Sequence, residues 1–356
     1  MKISVLVALV FGLLFSRGPL EAQNSGSSIP APPHGLYLLS DRQVPVDRMT
    51  IPSFISGYSL RIAWRDLETS KGVYDFSVIK NAIVYLQAHD LKMTLEIFSS
   101  MAPDYVLSAA TSTIPVRRGR APAPWDVGAQ ASWRAMLKAL SDFQVWDASC
   151  QKQVPLRDHP ALTAMDAPVV GLQAIRDVRR EFVKNPDYDR DRFLDAIVAS
   201  VRSSREAFPH DYGFLAFFRM EDDNRGEPLD AAIFNRIQNT FMGPGQAGLG
   251  LFQELWSDEG PNPETLGVFL LKVKTPNAVL LQSLTSWKRP FTDARKVASG
   301  NPAEALARAN REFGCRYFEL YSADVRAPDL KPVFDEWAHK LDPEGSARRK
   351  VPRMAP

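Results

Sequence analysis

The chain has 356 residues, of which 45% are hydrophobic and 24% are charged, a composition typical of a globular protein with a large core. Its 43 basic and 41 acidic residues give a net charge of +2, which excludes a strong overall field for nucleic acid or an anionic membrane. The 5 histidines and 2 cysteines form no HExxH or CxxC pattern, so we expect no metal and no cofactor. Whether Cys150 and Cys315 pair cannot be read from the sequence.

The N-terminus has the pattern of a secretory signal peptide. Lys2 precedes an apolar run over residues 5–15 that is too short to span a bilayer, and Ala22 supplies a small residue before a cleavage site. We therefore expect residues 1–22 to be removed and residues 23–34 to form a Pro- and Ser-rich linker. The mature protein is then secreted or periplasmic, with no stable membrane anchor. An uncleaved N-terminal anchor is the alternative.

Short apolar runs alternate with helical stretches after residue 34. The predicted strands are 35–40, 58–64, 92–98, 169–175, 212–218, 248–255, 278–284 and 316–322. Most of these runs are apolar on both faces, as strands inside a ring of helices should be. Eight such units predict a (β/α)₈ TIM barrel over residues 35–342. A doubly wound open sheet is the rival, but nothing resembles its phosphate-binding turn.

Helix signals support this order of elements. Asp75 or Ser77 can cap a helix after the second strand, and Asn301, Pro302 and Gly314 predict the start and end of the helix before the eighth. The residues in excess of a minimal barrel lie mainly between strands three and four. We therefore expect an insertion there, with a helix over residues 130–143. Residues 343–356 are basic, and we expect a disordered tail.

Residues 169–177, VVGLQAIRD, form an apolar run that ends in a polar pair. The segment resembles V-I-G-W-Q-I-D-N-E of the retaining β-galactosidases in glycoside hydrolase family 42, with Val169, Gly171 and Gln173 matching. Residues 64–76, WRDLETSKGVYDF, resemble W-x-x-L-E-P-x-x-G-x-Y-D-F of the same and related barrel glycosidases. The resemblance covers residues 35–180 and implies a TIM-barrel glycosidase whose partner is a carbohydrate.

Within that family the last glutamate of the first motif is the acid/base, so the resemblance implies this role for Asp177. An aspartate is one methylene shorter, and a displacement of about 1 Å can cost on the order of a hundredfold in rate. Arg176 replaces the family's asparagine, and a guanidinium there would lower the pKa of Asp177, whereas a general acid needs it raised. The nucleophile position at strand seven falls on Gln282, which cannot form a stable glycosyl ester.

Other residues at strand ends are candidates for the site. Glu254, which ends strand six, and Glu221, which follows strand five, can supply the second carboxylate. Glu96 and Glu319 lie within strands and can point into the pocket. Substrate contacts are predicted for side chains at predicted strand ends: Arg61, Trp64, Arg176, Trp256, Gln282 and Trp287. The cluster 221–224 lacks the spacing of a known calcium loop.

Two functions follow as hypotheses. The first is an exported glycoside hydrolase-like barrel acting on β-linked oligo- or polysaccharides, with Asp177 as proton donor and Glu254 or Glu221 as second carboxylate. The second is a non-catalytic carbohydrate-binding barrel that has lost the acid pair. A barrel lyase is a third class, without positive residue support. The sugar, the linkage and the oligomeric state cannot be read from the sequence.

Overall fold

The structure of the chain is a computed structural model, which describes the barrel strands and the helices around them. The residues that it describes are 30–41, 51–116, 119–172, 182–218, 220–222, 226–243, 246, 248–258, 267–274, 277–283, 285–288 and 300–349.

Eight parallel strands close into a barrel in which each strand pairs with its neighbours in chain order. The strands are β1 (Gly35–Asp41), β2 (Ile55–Ala63), β3 (Lys92–Phe98), β4 (Leu162–Asp166), β5 (Tyr212–Ala216), β6 (Leu249–Trp256), β7 (Val279–Ser283) and β8 (Tyr317–Leu320). Closure comes from the pairing of β1 with β8, in which Leu38 lies opposite Leu320. The predicted (β/α)₈ fold is confirmed.

Helices surround the barrel and bury one face against it. They are α1 (Trp64–Leu67), α2 (Ser77–Ala88), α3 (Asp104–Ala109), α4 (Val127–Asp142), α5 (Arg190–Ala207), α6 (Leu229–Phe241), α7 (Gly267–Leu270), α8 (Pro302–Phe313), α9 (Ser322–Val325), α10 (Lys331–Leu341) and α11 (Pro343–Arg349). The predicted limits of α8 are confirmed, since the Asn301 side chain caps it, Pro302 begins it and Gly314 ends it at φ 61°. In α2 the Asp75 carboxylate accepts from the Ser77 backbone N–H at 2.9 Å.

The predicted insertion lies between β3 and β4. It contains α3, the hairpin Thr113–Val116 with Gly119–Pro122, α4, and the hairpin Gln144–Asp147 with Lys152–Pro155. The helix predicted over 130–143 is α4, and Asp126 caps it by accepting from the Ala129 N–H at 2.8 Å. This insertion covers one side of the barrel before the chain returns to β4.

The position predicted for the fourth strand is wrong. The strand is Leu162–Asp166, and residues 167–172 form the turn that follows it. Val169 and Leu172 are buried, and their backbone carbonyls accept from the Ser99 hydroxyl, immediately after β3, at 2.7 and 2.8 Å. Gly171 between them lies directly against Pro122 of the insertion, so this apolar run is buried against the insertion without pairing in the sheet.

The C-terminal segment differs from the expected disordered tail over its first seven residues. Residues 343–349 form α11, and Ser346 in it is 1% exposed. Cys150 and Cys315 are both free, the first exposed and the second buried, so they do not form a disulfide. Among the described residues, no helix combines the length and apolar character that a bilayer crossing requires. The expected signal peptide and the first seven residues of the linker lie outside the described residues.

Candidate functional site

An apolar cluster fills the middle of the barrel. Its members are Tyr37, Ala164, Tyr212, Phe214, Ala216, Phe218, Phe252, Leu280 and Tyr317. Side chains alternate along a strand, so the residue two positions after an interior residue also faces inward. Toward the carboxyl ends of the strands this rule places a second set of inward residues, which we name the polar layer. Its members are Arg61, Glu96, Asp166, Ala216, Glu254, Gln282 and Glu319.

Arg61 is the centre of the polar layer. Its Nε donates to Glu96 Oε1 at 3.0 Å, and its Nη2 donates to Glu319 Oε2 at 2.8 Å. Its Nη1 lies 3.7 Å from Glu254 Oε1, and Nη2 also donates to the Gln282 side-chain oxygen. One guanidinium from β2 therefore holds side chains from β3, β6, β7 and β8. Because Arg61 is only 7% exposed, these contacts form with little competition from water.

Hydroxyl groups extend the network around two of the carboxylates. Ser59 donates to Glu96 Oε1 at 3.1 Å, and Tyr317 donates to Glu319 Oε1 at 2.7 Å. The Tyr317 hydroxyl also lies 2.9 Å from Thr94 Oγ1. Glu319 is thus fixed through both oxygens, which makes it a rigid structural partner of Arg61.

Gln282 connects the layer to the barrel mouth. Its Nε2 donates to the hydroxyl of Tyr321 at 2.9 Å, immediately after β8. Burial, and then the nearby Glu254 carboxylate, raise the pKa of Tyr321 to about 12, so its hydroxyl stays protonated at neutral pH. The Gln282 amide is therefore oriented by one donor and one acceptor.

The polar layer contains four carboxyl groups and one guanidinium. Burial raises the pKa of Glu96 to about 8, against the lowering effect of Arg61, and the pKa of Glu319 is also raised by burial. The carboxylates in turn raise the pKa of Arg61 well above its usual range, so this residue is permanently charged. The layer consequently holds protons at neutral pH that exposed carboxylates would release.

Asp166 ends β4 and is the fourth carboxyl of the layer. It is 2% exposed, and its Oδ1 atom is buried without a hydrogen-bond partner among the described residues. Burial raises the pKa of Asp166 well above its usual range, and the neighbouring Glu96 carboxylate adds to the effect. The register pairs Met165 with Leu95, so Asp166 follows beside Glu96 on the adjacent strand.

The structure brings together three of the predicted site residues. Arg61, Glu254 and Gln282 lie in the polar layer and contact one another through the Arg61 guanidinium. Glu254 is 7% exposed, compared with 3% for Glu96 and 0% for Glu319. Of the three carboxylates that contact Arg61, Glu254 is therefore the one nearest to solvent.

Two of the predicted sugar-stacking tryptophans are placed differently. Trp64 is 0% exposed and packs edge-on against Trp133 at 5.1 Å. Trp256 is 2% exposed, and its Nε1 donates to the backbone oxygen of Ala305 in α8 at 2.9 Å. Both indoles belong to the layer between strands and helices, which corrects their prediction as substrate contacts. Trp287 is half-buried beyond β7, so its stacking role stays a prediction.

The motif at residues 64–76 has a structural role. Glu68 Oε2 accepts from the Trp64 indole N–H at 2.9 Å, and Glu68 Oε1 accepts from the Gly72 N–H at 3.0 Å and the Tyr105 hydroxyl at 2.7 Å. Gly72 has φ 73°, a conformation that glycine adopts without strain. The motif therefore fixes the loop after β2 against the insertion.

The remaining predicted residues follow β4 and β5 in the chain. Asp177 and Arg176 lie outside the described residues. Glu221 is exposed in the loop after β5. Its neighbour Asp222 accepts from Arg190 Nη1 at 3.0 Å and from the Tyr188 hydroxyl at 3.1 Å, which occupies that carboxylate with protein partners. The described residues contain no cluster of side chains able to hold a metal ion.

Asp166 and Tyr321 were missed as site residues by sequence reasoning. Asp166 stood before the predicted fourth strand, so it was not counted as a strand end. Glu96 and Glu319 did carry a signal, since each is a charge inside an otherwise apolar strand. The same signal applied to residues 162–166 would have found Asp166.

A cavity lies at the end of the barrel opposite to the polar layer. It has a volume of about 330 Å³ and is lined by residues that include His34, Ser56, Lys92 and Asp342. Residues 31–34, which precede β1, form part of its wall. Active sites of TIM barrels lie at the carboxyl ends of the strands, so the polar layer is the better candidate.

Comparison with known proteins supports the fold. No family model matches the chain, and no curated protein sequence matches it. Among solved structures, native xylanase 10B from Thermotoga maritima matches with a TM-score of 0.50 and 9% identity, over 86% of this chain and 95% of that one. At this identity the likeness shows a shared barrel fold.

Two further solved structures have lower scores. A psychrophilic glycoside hydrolase family 10 endo-β-1,4-xylanase matches with a TM-score of 0.49 and 10% identity, over 81% of this chain and 86% of that one. An endo-1,4-β-xylanase from Caldicellulosiruptor owensensis matches with a TM-score of 0.44 and 13% identity, over 81% of this chain and 84% of that one.

Proposed function

We propose that this chain is an exported glycoside hydrolase-like barrel that acts on β-linked oligosaccharides or polysaccharides. The observation that carries the proposal is the polar layer, in which the Arg61 guanidinium gathers three carboxylates at the carboxyl ends of the strands. Glycoside hydrolysis is chemistry that paired carboxyl groups perform at such a position. The shared barrel fold with the Thermotoga maritima xylanase agrees with this proposal.

Glu254 is our candidate for the second carboxylate. It contacts Arg61 at 3.7 Å, a looser contact than those of Glu96 and Glu319, and it is nearer to solvent than either. Asp177, which follows β4 in the chain and lies outside the described residues, remains the predicted proton donor. Glu221 is the alternative to Glu254.

Gln282 argues against a nucleophile on β7. An amide cannot form the stable glycosyl ester on which a double displacement depends, and the Gln282 amide is already held between Arg61 and Tyr321. An active enzyme would therefore take its second carboxylate from β6 or from the β5 loop. Such a pair favours attack by a water molecule with inversion, if the two carboxyls are about 6.5–9.5 Å apart.

The second candidate function is a carbohydrate-binding barrel without turnover. The presence of Gln282 on β7 favours it, because the amide keeps the hydrogen bonds of the layer and removes the nucleophile. A binding barrel would keep affinity for oligosaccharides and release no product.

The test is a screen of the mature chain, residues 23–356, for turnover and binding. The probe set contains aryl β-galactosides and β-glucosides, together with xylohexaose, cellohexaose and β-1,4-galactan oligosaccharides. Glu254→Gln and Asp177→Asn are compared with Glu312→Gln, which alters a surface ion pair with Arg308 on α8. Product release is measured by chromatography and binding by calorimetry.

The hydrolase proposal expects turnover that falls at least about a hundredfold in Glu254→Gln and Asp177→Asn and stays unchanged in Glu312→Gln. Binding without turnover favours the non-catalytic barrel. If the protein neither binds nor hydrolyses any compound of the probe set, both candidate functions are overturned. If turnover is unchanged in Glu254→Gln, Glu221 becomes the candidate for the second carboxylate. The variant Glu221→Gln then tests this assignment.

A further inference from the structure

Asp166 is the carboxyl group of the polar layer whose burial is least compensated by contacts with other groups. Glu96, Glu254 and Glu319 each contact the Arg61 guanidinium, at 3.0, 3.7 and 2.8 Å. Within the part of the chain that the structure describes, the Oδ1 atom of Asp166 is buried and has no hydrogen-bond partner. A buried anion in this state is strongly disfavoured, and such a group takes up a proton instead.

The groups that face Asp166 also favour its neutral form. The carboxylates of Glu96 on β3 and Glu254 on β6 repel a charge on it, and burial has the largest effect. Arg61 and the backbone N–H of Ala167 favour the charged form but do not outweigh these effects. On β5 the inward-facing neighbours Phe214 and Ala216 are apolar and give no compensation.

We propose that Asp166 is a neutral carboxylic acid whose O–H group serves as a hydrogen-bond donor to a bound ligand at the top of the barrel. Sugar hydroxyl, ring and glycosidic oxygens are acceptors that suit such a donor. A carboxylic acid kept neutral at pH 7 by an apolar site is an established device for donating to a substrate oxygen. Ala216, the residue of the layer on β5, contributes only a methyl group at this level of the barrel. The ligand contact rests on the proposed function, whereas the protonation does not.

The first test measures stability against pH and needs no ligand. An acid whose pKa is raised on folding contributes stability that is lost as the pH rises from the unfolded toward the folded pKa. Asp166→Asn mimics the neutral acid, so its stability relative to wild type should increase steadily from pH 5 to pH 8.5. Asp166→Ala should flatten the same slope even if it lowers stability throughout.

Asp126→Asn is the matched control. Asp126 is equally buried, at 3% exposed, but its carboxylate accepts from the N–H groups of Ala129 and Thr111 at 2.8 Å each. These bonds lower the pKa of Asp126 despite its burial. Asp126→Asn should therefore be destabilised by a constant amount between pH 5 and pH 8.5. The same constant loss in both Asp166 variants would overturn the proposal.

The second test measures binding of the strongest ligand in the probe set. Asp166→Asn keeps a donor and should bind within about threefold of wild type, whereas Asp166→Ala should lose about tenfold, the effect of one hydrogen bond. Wild-type binding should weaken from pH 6 to pH 9, and binding by Asp166→Asn should stay flat. Equal affinity in Asp166→Ala, or wild-type affinity that rises with pH, would overturn the ligand contact. If no probe binds, the proposed function and the ligand contact both fail, while the stability slopes still decide the protonation.

Discussion

Arg61 and Glu96 are register partners on adjacent parallel strands, and Arg61 Nε donates to Glu96 Oε1 at 3.0 Å. The pair lies inside the barrel, where Arg61 is 7% exposed and Glu96 is 3% exposed. Both side chains have left water to reach this position, and burial raises the pKa of the Glu96 carboxyl to about 8, so their contacts must compensate for desolvation. The desolvation of Arg61 is compensated by its contacts with three carboxylates. The desolvation of Glu96 is compensated by its contacts with Arg61 and Ser59.

Replacement of Arg61 is expected to destabilise the barrel strongly. Arg61→Met removes the guanidinium that Glu96, Glu254 and Glu319 share, and a broken buried ion pair typically costs about 3–5 kcal/mol. The loss should shrink at pH 5, where the carboxyl groups can take up protons. Urea denaturation at pH 5 and pH 8 measures both values.

The control for this change is Arg236→Met. Arg236 pairs with Asp195 on the surface at 2.8 Å, and exposed pairs are worth less than about 1 kcal/mol. If both arginine variants lose the same small amount of stability, the polar layer does not depend on Arg61.

The stability of the protein should depend on the ionisation of Glu96. Its pKa is raised from 4.5 to about 8, mainly by burial. The folded form therefore binds a proton more tightly than the unfolded chain does, and this stabilisation is lost as the pH rises from about 5 through 8. Glu96→Gln removes one titrating group, so its stability should fall less steeply than that of wild type over this range.

One observation and one control allow the pH dependence of stability to be assigned to Glu96. Burial is offset in Asp126 and Asp147 by hydrogen bonds that lower the pKa of each carboxyl, so these groups titrate below the range used. Glu312→Gln on α8 removes a surface carboxylate and should leave the slope unchanged. A slope in Glu96→Gln equal to that of wild type would exclude the raised pKa.

Gly171 is expected to be required for the turn after β4. It has φ 78°, and a Cβ at this position would lie 1.9 Å from the backbone oxygen of Pro122. Gly171→Ala therefore adds a steric clash to the backbone strain, and we expect a loss above about 3 kcal/mol. Thermal or urea denaturation measures it.

Gly72→Ala separates the two effects. Gly72 has φ 73°, but apart from its chain neighbours no described residue has an atom within 4 Å of a Cβ built there. Its replacement should cost only the left-handed strain, about 1–2 kcal/mol. Equal losses in both variants would mean that the contact with the insertion is easily relieved.

The sequence predicted the barrel because the relevant signals are local. Seven of the eight predicted strands overlap the observed ones, and the Asn301, Pro302 and Gly314 signals set the limits of α8. The prediction misplaces the fourth strand because residues 169–172 are buried through contacts that are distant in sequence, with Ser99 after β3 and with Pro122 of the insertion. Periodicity cannot distinguish this burial from that of a strand.

The candidate site was predicted only in part, for similar reasons. Arg61, Glu254 and Gln282 could be found because they lie near the ends of correctly predicted strands. The motif at residues 64–76 predicts that Trp64 lies at the mouth of the barrel. In the structure α1 begins at Trp64, directly after β2, and the indole packs against Trp133. Asp166 could be identified only with the correct limits of β4. The apolar run after β4 led to the wrong limits.

The most direct test of the account is a crystal structure of the Glu254→Gln variant with the strongest-binding oligosaccharide of the probe set. The account predicts a sugar at the carboxyl ends of the strands, with one of its oxygens within hydrogen-bonding distance of residue 254 or Asp166. A sugar bound elsewhere, for example in the cavity beside His34 and Lys92 at the opposite end of the barrel, would contradict it.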